Sequence, residues 1–155
     1  MTMQSRPGTY VLVLRCNKTM PLAVGRWGTL QVRPGTYLYV GSAFGPGGVA
    51  ARVSRHCRGS VARHWHIDYL RAETVLESAW FSHVPDRLEH SWAAALGDCA
   101  DWQAVTGFGC SDCRCVSHLF FATGAMPSDS PLPALGPGVQ VWTCAGDADR
   151  QPRPT

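Results

Sequence analysis

Arg52 and His56 stand four residues apart in GGVAARVSRHCR (47–58), where Val49, Val53 and Cys57 also recur every four residues. At the 100° per residue of a helix, those three make one apolar stripe, with Arg52 and His56 together on its shoulder. A guanidinium that forks onto phosphate oxygens, beside an imidazole that titrates near neutrality, is chemistry suited to a phosphate group. The same spacing also describes an ordinary amphipathic helix with an Arg-rich outer face. Glu89 is a second candidate, on the shoulder of the stripe Leu88, Trp92, Ala95, Leu96 and Cys99. Three residues after Asp86, it either completes a capping box or, half solvated, serves as a metal-binding carboxylate. A third group is Cys110, Cys113, Cys115 and His118, in the spacing C-x₂-C-x-C-x₂-H. Zinc accepts such a Cys₃His set, but C-x-C on a strand gives adjacent ligands an awkward bite, and His118 in the apolar run SHLFF also reads as a core histidine. Buried, reduced thiols are the favoured reading of that group. His64 and His66 share a strand face or flank a helical turn, with Asp68 placed to orient one of them.

The elements that must position these side chains follow from pattern. GTYLYVGSAFGPGG (35–48) alternates apolar and aromatic residues and then runs into glycines, as a strand, a close turn and the start of a helix do. No G-K-[ST] follows those glycines, which excludes a P-loop nucleotide site. GTYVLVLR (8–15) is apolar on both faces and predicts a central strand covered on each side. Residues 21–33 predict one or two short strands, 74–81 another strand, and Pro85-Asp86 the start of a second long helix. Residues 107–121 pass from a glycine-flanked turn to a strand. The segment from Gly124 onward predicts a loop, one edge strand within VQVWTC and a frayed end. With connections too short for crossovers, the expected fold is α+β, a small and mainly antiparallel sheet flanked by helices.

With 155 residues, 45% hydrophobic and 16% charged, the chain reads as one globular domain able to bury its own core. It shows no secretory leader and no apolar run of membrane-spanning length. Its seven cysteines therefore predict reduced thiols in a cytoplasm. Charge is distributed unevenly. Nine cations and no acidic residue precede Asp68; from Asp68 on, five cations face eleven acids. Thirteen of the fourteen cations are Arg, so the N-terminal half predicts a polyanionic partner, DNA or, on charge alone, RNA or a nucleotide.

The paired GTY (8–10) and YVG (39–41), about thirty residues apart on neighbouring strands, resemble the signature of the GIY-YIG nuclease superfamily. The resemblance continues in order with Arg52 on the next helix and Glu89 on the one after. The stretches YVGSAFGPGG, RHWHIDYL and FGCSDCRCVSHLFF are similar to a small branch of that superfamily, sometimes fused to endonuclease III-type repair enzymes. It covers residues 8–121, which makes residues 1–121 a nuclease-like domain with a branch-specific extension. Residues 122–155 are then a Pro/Gly-rich segment of the same domain. The resemblance implies a Mg²⁺- or Mn²⁺-dependent DNA endonuclease acting in repair or recombination. Tyr10 would activate or position water, with His56 sharing the base role and Tyr39 orienting the phosphate. Arg52 would neutralise growing charge, and Glu89 would hold the ion. Gly41 and Gly45 would let the backbone approach DNA, with Arg55, Arg58 and Arg63 on its phosphates. His64, His66, Asp68 and Asp112 would be candidates peculiar to the branch.

The chain departs from that pattern at Thr9, in place of isoleucine, and at Val40, both compatible with strands. Some relatives carry a late asparagine, whereas the only one here is Asn17. No separate DNA-binding domain is attached, so specificity is expected from DNA structure or from a repair-protein partner. Two other readings fit the same residues. One is a catalytically silent nucleic-acid-binding module of the same fold, and the other a hydrolase of small phosphate esters.

Overall fold

The computed structural model describes residues 3–59, 65–109, 115–124 and 130–143. Arg63, His64, Cys110, Asp112 and Cys113 lie outside the described residues, as does the end expected to fray. The strands are β1 (Gly8–Cys16), β2 (Met20–Val24), β3 (Gly28–Val32), β4 (Gly35–Ala43), β5 (Val75–Ser82), β6 (Gln103–Ala104), β7 (Leu119–Thr123) and β8 (Gln140–Thr143). The helices are α1 (Gly48–Arg58), α2 (His66–Arg71) and α3 (Glu89–Gly97), with a 3₁₀ turn at Leu132–Leu135. The fold is α+β. Six strands form one sheet in the order β6-β7-β4-β1-β5-β8, each neighbouring pair antiparallel.

β1 lies inside this sheet, between β4 and β5, as its two apolar faces require. Tyr10, Leu12 and Leu14 point to one side, into a core shared with Val49 and Val53 of α1 and Ile67 and Leu70 of α2. Val11 and Val13 point to the other, where Trp92 and Leu96 of α3 close over Leu38, Val40 and Trp80. Each of these buried side chains contributes roughly 1.5–3 kcal/mol, so both layers hold β1 in register. β8 completes the sheet on β5, in line with the edge strand expected late in the chain.

The short strands expected within residues 21–33 form as β2 and β3, which pair only with each other and lie outside the six-stranded sheet. Of this hairpin, Val24, Leu30 and Val32 are buried while most of the other side chains face outward. It has one apolar face to place, and that face lies on the α1–α2 layer. The helix expected from Asp86 begins instead at Glu89, without a side-chain cap, so no capping box forms. The backbone N–H of Leu88 donates to Thr9 Oγ1 at 3.3 Å, and this tertiary acceptor fixes where the helix enters. No helix among the described residues is long and apolar enough to cross a membrane.

Candidate functional site

The antiparallel pairing of β1 with β4 sets Tyr10 opposite Gly41 and Leu12 opposite Tyr39. Residues 10, 12, 39 and 41 then share one face, and the two phenols become diagonal neighbours on it. Gly41 is required there because a β-carbon would sit 2.5 Å from both Cζ and Oη of Tyr10. Its absent side chain makes room for the Tyr10 ring, a different reason from the approach to DNA expected of it. Gly45 is exposed, and a β-carbon there would have Arg52 Nη2 as its nearest neighbour at 4.0 Å. The turn into α1 is tight at Gly48, with φ 60°, where a β-carbon would overlap the Arg6 carbonyl.

α1 carries Arg52 and His56 to that face. His56 Nε2 and the Tyr10 hydroxyl share a hydrogen bond of 3.0 Å, and both side chains are almost wholly buried. The inner line of α1 therefore runs through Val49, Val53 and His56, with Cys57 only partly covered. Burial pushes the His56 imidazole down to about 3; Asp68 pulls the other way, while Arg55, Arg52 and Arg71 push it further down. Burial also drives the Tyr10 phenol far above its ordinary range, although the Arg52 guanidinium beside it favours the phenolate. Tyr39 is raised for the same first reason, then by the charges of Tyr10 and Glu89. The pair is thus a protonated phenol on a neutral imidazole. Proton transfer from Tyr10 to His56 runs uphill in the free site, so the pair at rest holds the phenol in place.

Arg52 is aimed by two contacts. Nη1 donates to the Ser42 carbonyl at 3.1 Å, and its guanidinium carbon lies 4.6 Å from the centre of the Trp65 ring. Arg55 stacks on the same ring at 4.4 Å. It also grips Asp68 bidentately at 2.9 and 3.1 Å, so it is spent on α2 and is not available to a phosphate in the way expected. Asp68 in turn accepts from the backbone N–H of Trp65 at 3.0 Å and starts α2. His66 accepts from the backbone N–H of Gly109 through Nδ1 at 3.1 Å, tying α2 to the turn before β7. Arg71 closes the end of α1 by donating to the carbonyls of His56 and Cys57. Arg58, in the last turn of α1, is exposed.

Glu89 opens α3 on the far face of the sheet, and its carboxylate meets the site at the end of β4. Its charge is close enough to both Tyr10 and Tyr39 to raise them. Burial pushes Glu89 itself up, but His118, His90 and the Ser42 side chain outweigh that and hold it below the usual carboxylate range. Ser42 thus joins the two layers, its carbonyl on Arg52 and its side chain toward Glu89. His118 Nδ1 lies 3.2 Å from Glu89 Oε2. Between the layers stands Gly109, with φ 75°, where a β-carbon would meet His118 Cβ at 3.2 Å and Tyr39 Cε1 at 3.4 Å.

The geometry brings Tyr10, Tyr39, Arg52, His56 and Glu89 to one end of the sheet. Sequence reasoning passed over Trp65, Ser42 and Thr9. Trp65 was legible as the aromatic between the two histidines of HWHID; Thr9 and Ser42 carry no local signal, because their partners are distant in the chain. A family model described as Domain of unknown function DUF123 matches residues 9–133. No curated protein and no solved structure matches the chain.

Proposed function

The chain belongs to the DUF123 family, whose description names no activity, and from the site we propose that it hydrolyses a phosphodiester bond of DNA with the help of a divalent cation. The observation that carries this reading is the buried Tyr10–His56 hydrogen bond beside Arg52, with the Glu89 charge coupled to the same phenol. The likeness of GTY and YVG to the GIY-YIG signature supports it, as does the basic N-terminal half.

The donor chemistry suits a hard ion. Glu89 is ionised near neutrality, and one carboxylate with water and substrate phosphate is an ordinary Mg²⁺ environment. When bound, Mg²⁺ or Mn²⁺ supplies charge neutralisation and makes water more acidic. The remaining work falls to the chain. Arg52, held by Trp65 and Ser42, meets the phosphate oxygens with its free edge and offsets charge growing there. With the His56 proton on Nε2, the imidazole donates to the Tyr10 oxygen and leaves the phenol's single O–H for the reacting phosphate or the incoming water. Tyr39, the diagonal neighbour of Tyr10 on the same face, orients the phosphate. Arg58, Arg6 and Arg26, all exposed, meet flanking phosphates.

One observation favours a second reading, a silent nucleic-acid-binding module. Burial keeps both phenols protonated and holds the His56 imidazole well below its ordinary range. Incubation with branched, nicked and supercoiled DNA, in Mg²⁺ or EDTA, separates the two. Cleavage that requires the cation and disappears in Arg52→Ala and Glu89→Gln is the expected result. Salt-sensitive binding that ignores Mg²⁺, without cleavage, would establish the silent module.

A further inference from the structure

His90, Cys115 and His118 come from two different elements and converge on one point beside Glu89. Their nitrogen and sulfur donor atoms all lie within 4.8 Å of one another. His90 is exposed on the first turn of α3, Cys115 is partly buried in the segment leading to β7, and His118 is buried immediately before that strand. The two imidazole rings stand 5.8 Å apart, tilted by 46°. His118 is fixed from both sides, since its N–H donates to the Phe108 carbonyl and its carbonyl accepts from Val40 N–H, each at 2.9 Å.

We propose that His90, Cys115 and His118 bind a zinc ion that pins the start of α3 to the entry of β7. Two imidazoles and a thiolate are donors for a borderline-soft cation, and a hard ion such as Mg²⁺ gains little from them. Zn–N and Zn–S bonds of about 2.0–2.3 Å put tetrahedral ligand atoms roughly 3.3–3.8 Å apart. Closing from a spacing of at most 4.8 Å is a movement of about 1.5 Å or less, and the exposed His90 is placed to make it. Among the described residues these three are the donors that converge there. Glu89 completes the arrangement. His118 Nδ1 lies 3.2 Å from Glu89 Oε2, and a zinc held through Nε2 would let that carboxylate accept from Nδ1–H, as acceptors behind zinc-bound histidines do. The ligand set keeps Cys115 and His118 of the motif read in the sequence and adds His90, twenty-five residues or more away from them in the chain.

This assignment stands whether or not the protein cleaves DNA, because its readout is metal content. Tag-free protein, purified with trace zinc in the buffers, is expected to retain about one zinc per chain after desalting. Replacement by Co²⁺ is expected to give a thiolate-to-metal charge-transfer band. His90→Ala, at an exposed position that leaves the core untouched, should lose both signals while keeping the wild-type circular dichroism. Cys115→Ser should lose the charge-transfer band. Glu89→Gln should weaken zinc binding by about 10–100-fold without abolishing it. Wild-type protein that stays zinc-free when zinc is supplied, or His90→Ala and Cys115→Ser proteins that hold zinc as the wild type does, would overturn the assignment.

Discussion

Thr9 Oγ1 accepts a hydrogen bond from the backbone N–H of Leu88, the residue immediately before Glu89. Thr9 is fully buried in β1, next to Tyr10. One side chain therefore fixes the spacing between the strand that carries the phenol and the helix that carries the carboxylate. The position at which the chain departs from the isoleucine of the signature it resembles is the one that ties the two layers together.

Thr9→Val keeps the shape and removes the acceptor. The lost bond should cost about 1 kcal/mol and lower the melting temperature by roughly 2–4 °C for a chain of this size. If Glu89 acts through its placement, kcat for DNA cleavage should fall more than KM changes, and a Thr9→Ser protein should recover most of it. Equal kinetics in Thr9→Val and wild type would show that the bond serves stability alone.

Gly41 and Gly45 make a matched pair for the second prediction. A β-carbon at Gly41 lands against the Tyr10 ring edge, whereas at Gly45 it meets only Arg52 Nη2 at van der Waals distance. Gly41→Ala must push the phenol off His56 and should cost about 1–3 kcal/mol as an overpacked core does. Gly45→Ala should leave the urea midpoint close to wild type. Chemical denaturation of both proteins checks this, and cleavage should vanish only in the first.

The β1 and β4 strands, the helix between residues 48 and 58 and the α+β class were all legible because alternation and four-residue recurrence are local signals. The grouping of Arg52 with His56 followed from the same recurrence. What escaped was set by partners far along the chain. His56 took the innermost place on α1 because Tyr10, forty-six residues earlier, supplies its hydrogen bond. The start of α3 moved from Asp86 to Glu89 because Thr9 outcompeted a local cap. Arg55 looked like another phosphate ligand until Asp68, thirteen residues on, took both its nitrogens. His90 had no spacing relation to Cys115 and His118, so only the packing of α3 on the sheet brings it to them.

Acid should destabilise the fold through His56. Its folded pKa of about 3 lies below the unfolded value of about 6.5, so the unfolded chain binds the extra proton first. The stabilisation from burying the neutral ring is fully present above pH 6.5 and is lost as pH falls from there toward 3, on the order of 5 kcal/mol in all. Glu89, also depressed, adds its own loss only below the ordinary carboxylate range. Urea midpoints measured at pH 7.5 and 5 should therefore differ clearly in wild type and much less in His56→Gln, which keeps a partner for Tyr10. The same slope in both proteins would remove His56 as the cause.

Arg55 and Arg58 sit three residues apart on α1 and should behave oppositely. Arg55 is held by the largely buried Asp68 and stacked on Trp65, so Arg55→Ala leaves that carboxylate without its cation. Breaking a buried pair costs about 3–5 kcal/mol; with Arg55 itself about a fifth exposed, roughly 2 kcal/mol is expected. Arg58 is exposed in the last turn, and Arg58→Ala should change stability by less than about 0.5 kcal/mol. DNA binding should invert the order. Losing one phosphate contact lowers the slope of log affinity against log salt by about one, and that decrease belongs to Arg58→Ala. Arg55→Ala protein, assayed where it remains folded, should keep the wild-type slope. A reduced slope in Arg55→Ala and an unchanged one in Arg58→Ala would mean that Arg55 leaves Asp68 for the phosphate when DNA binds.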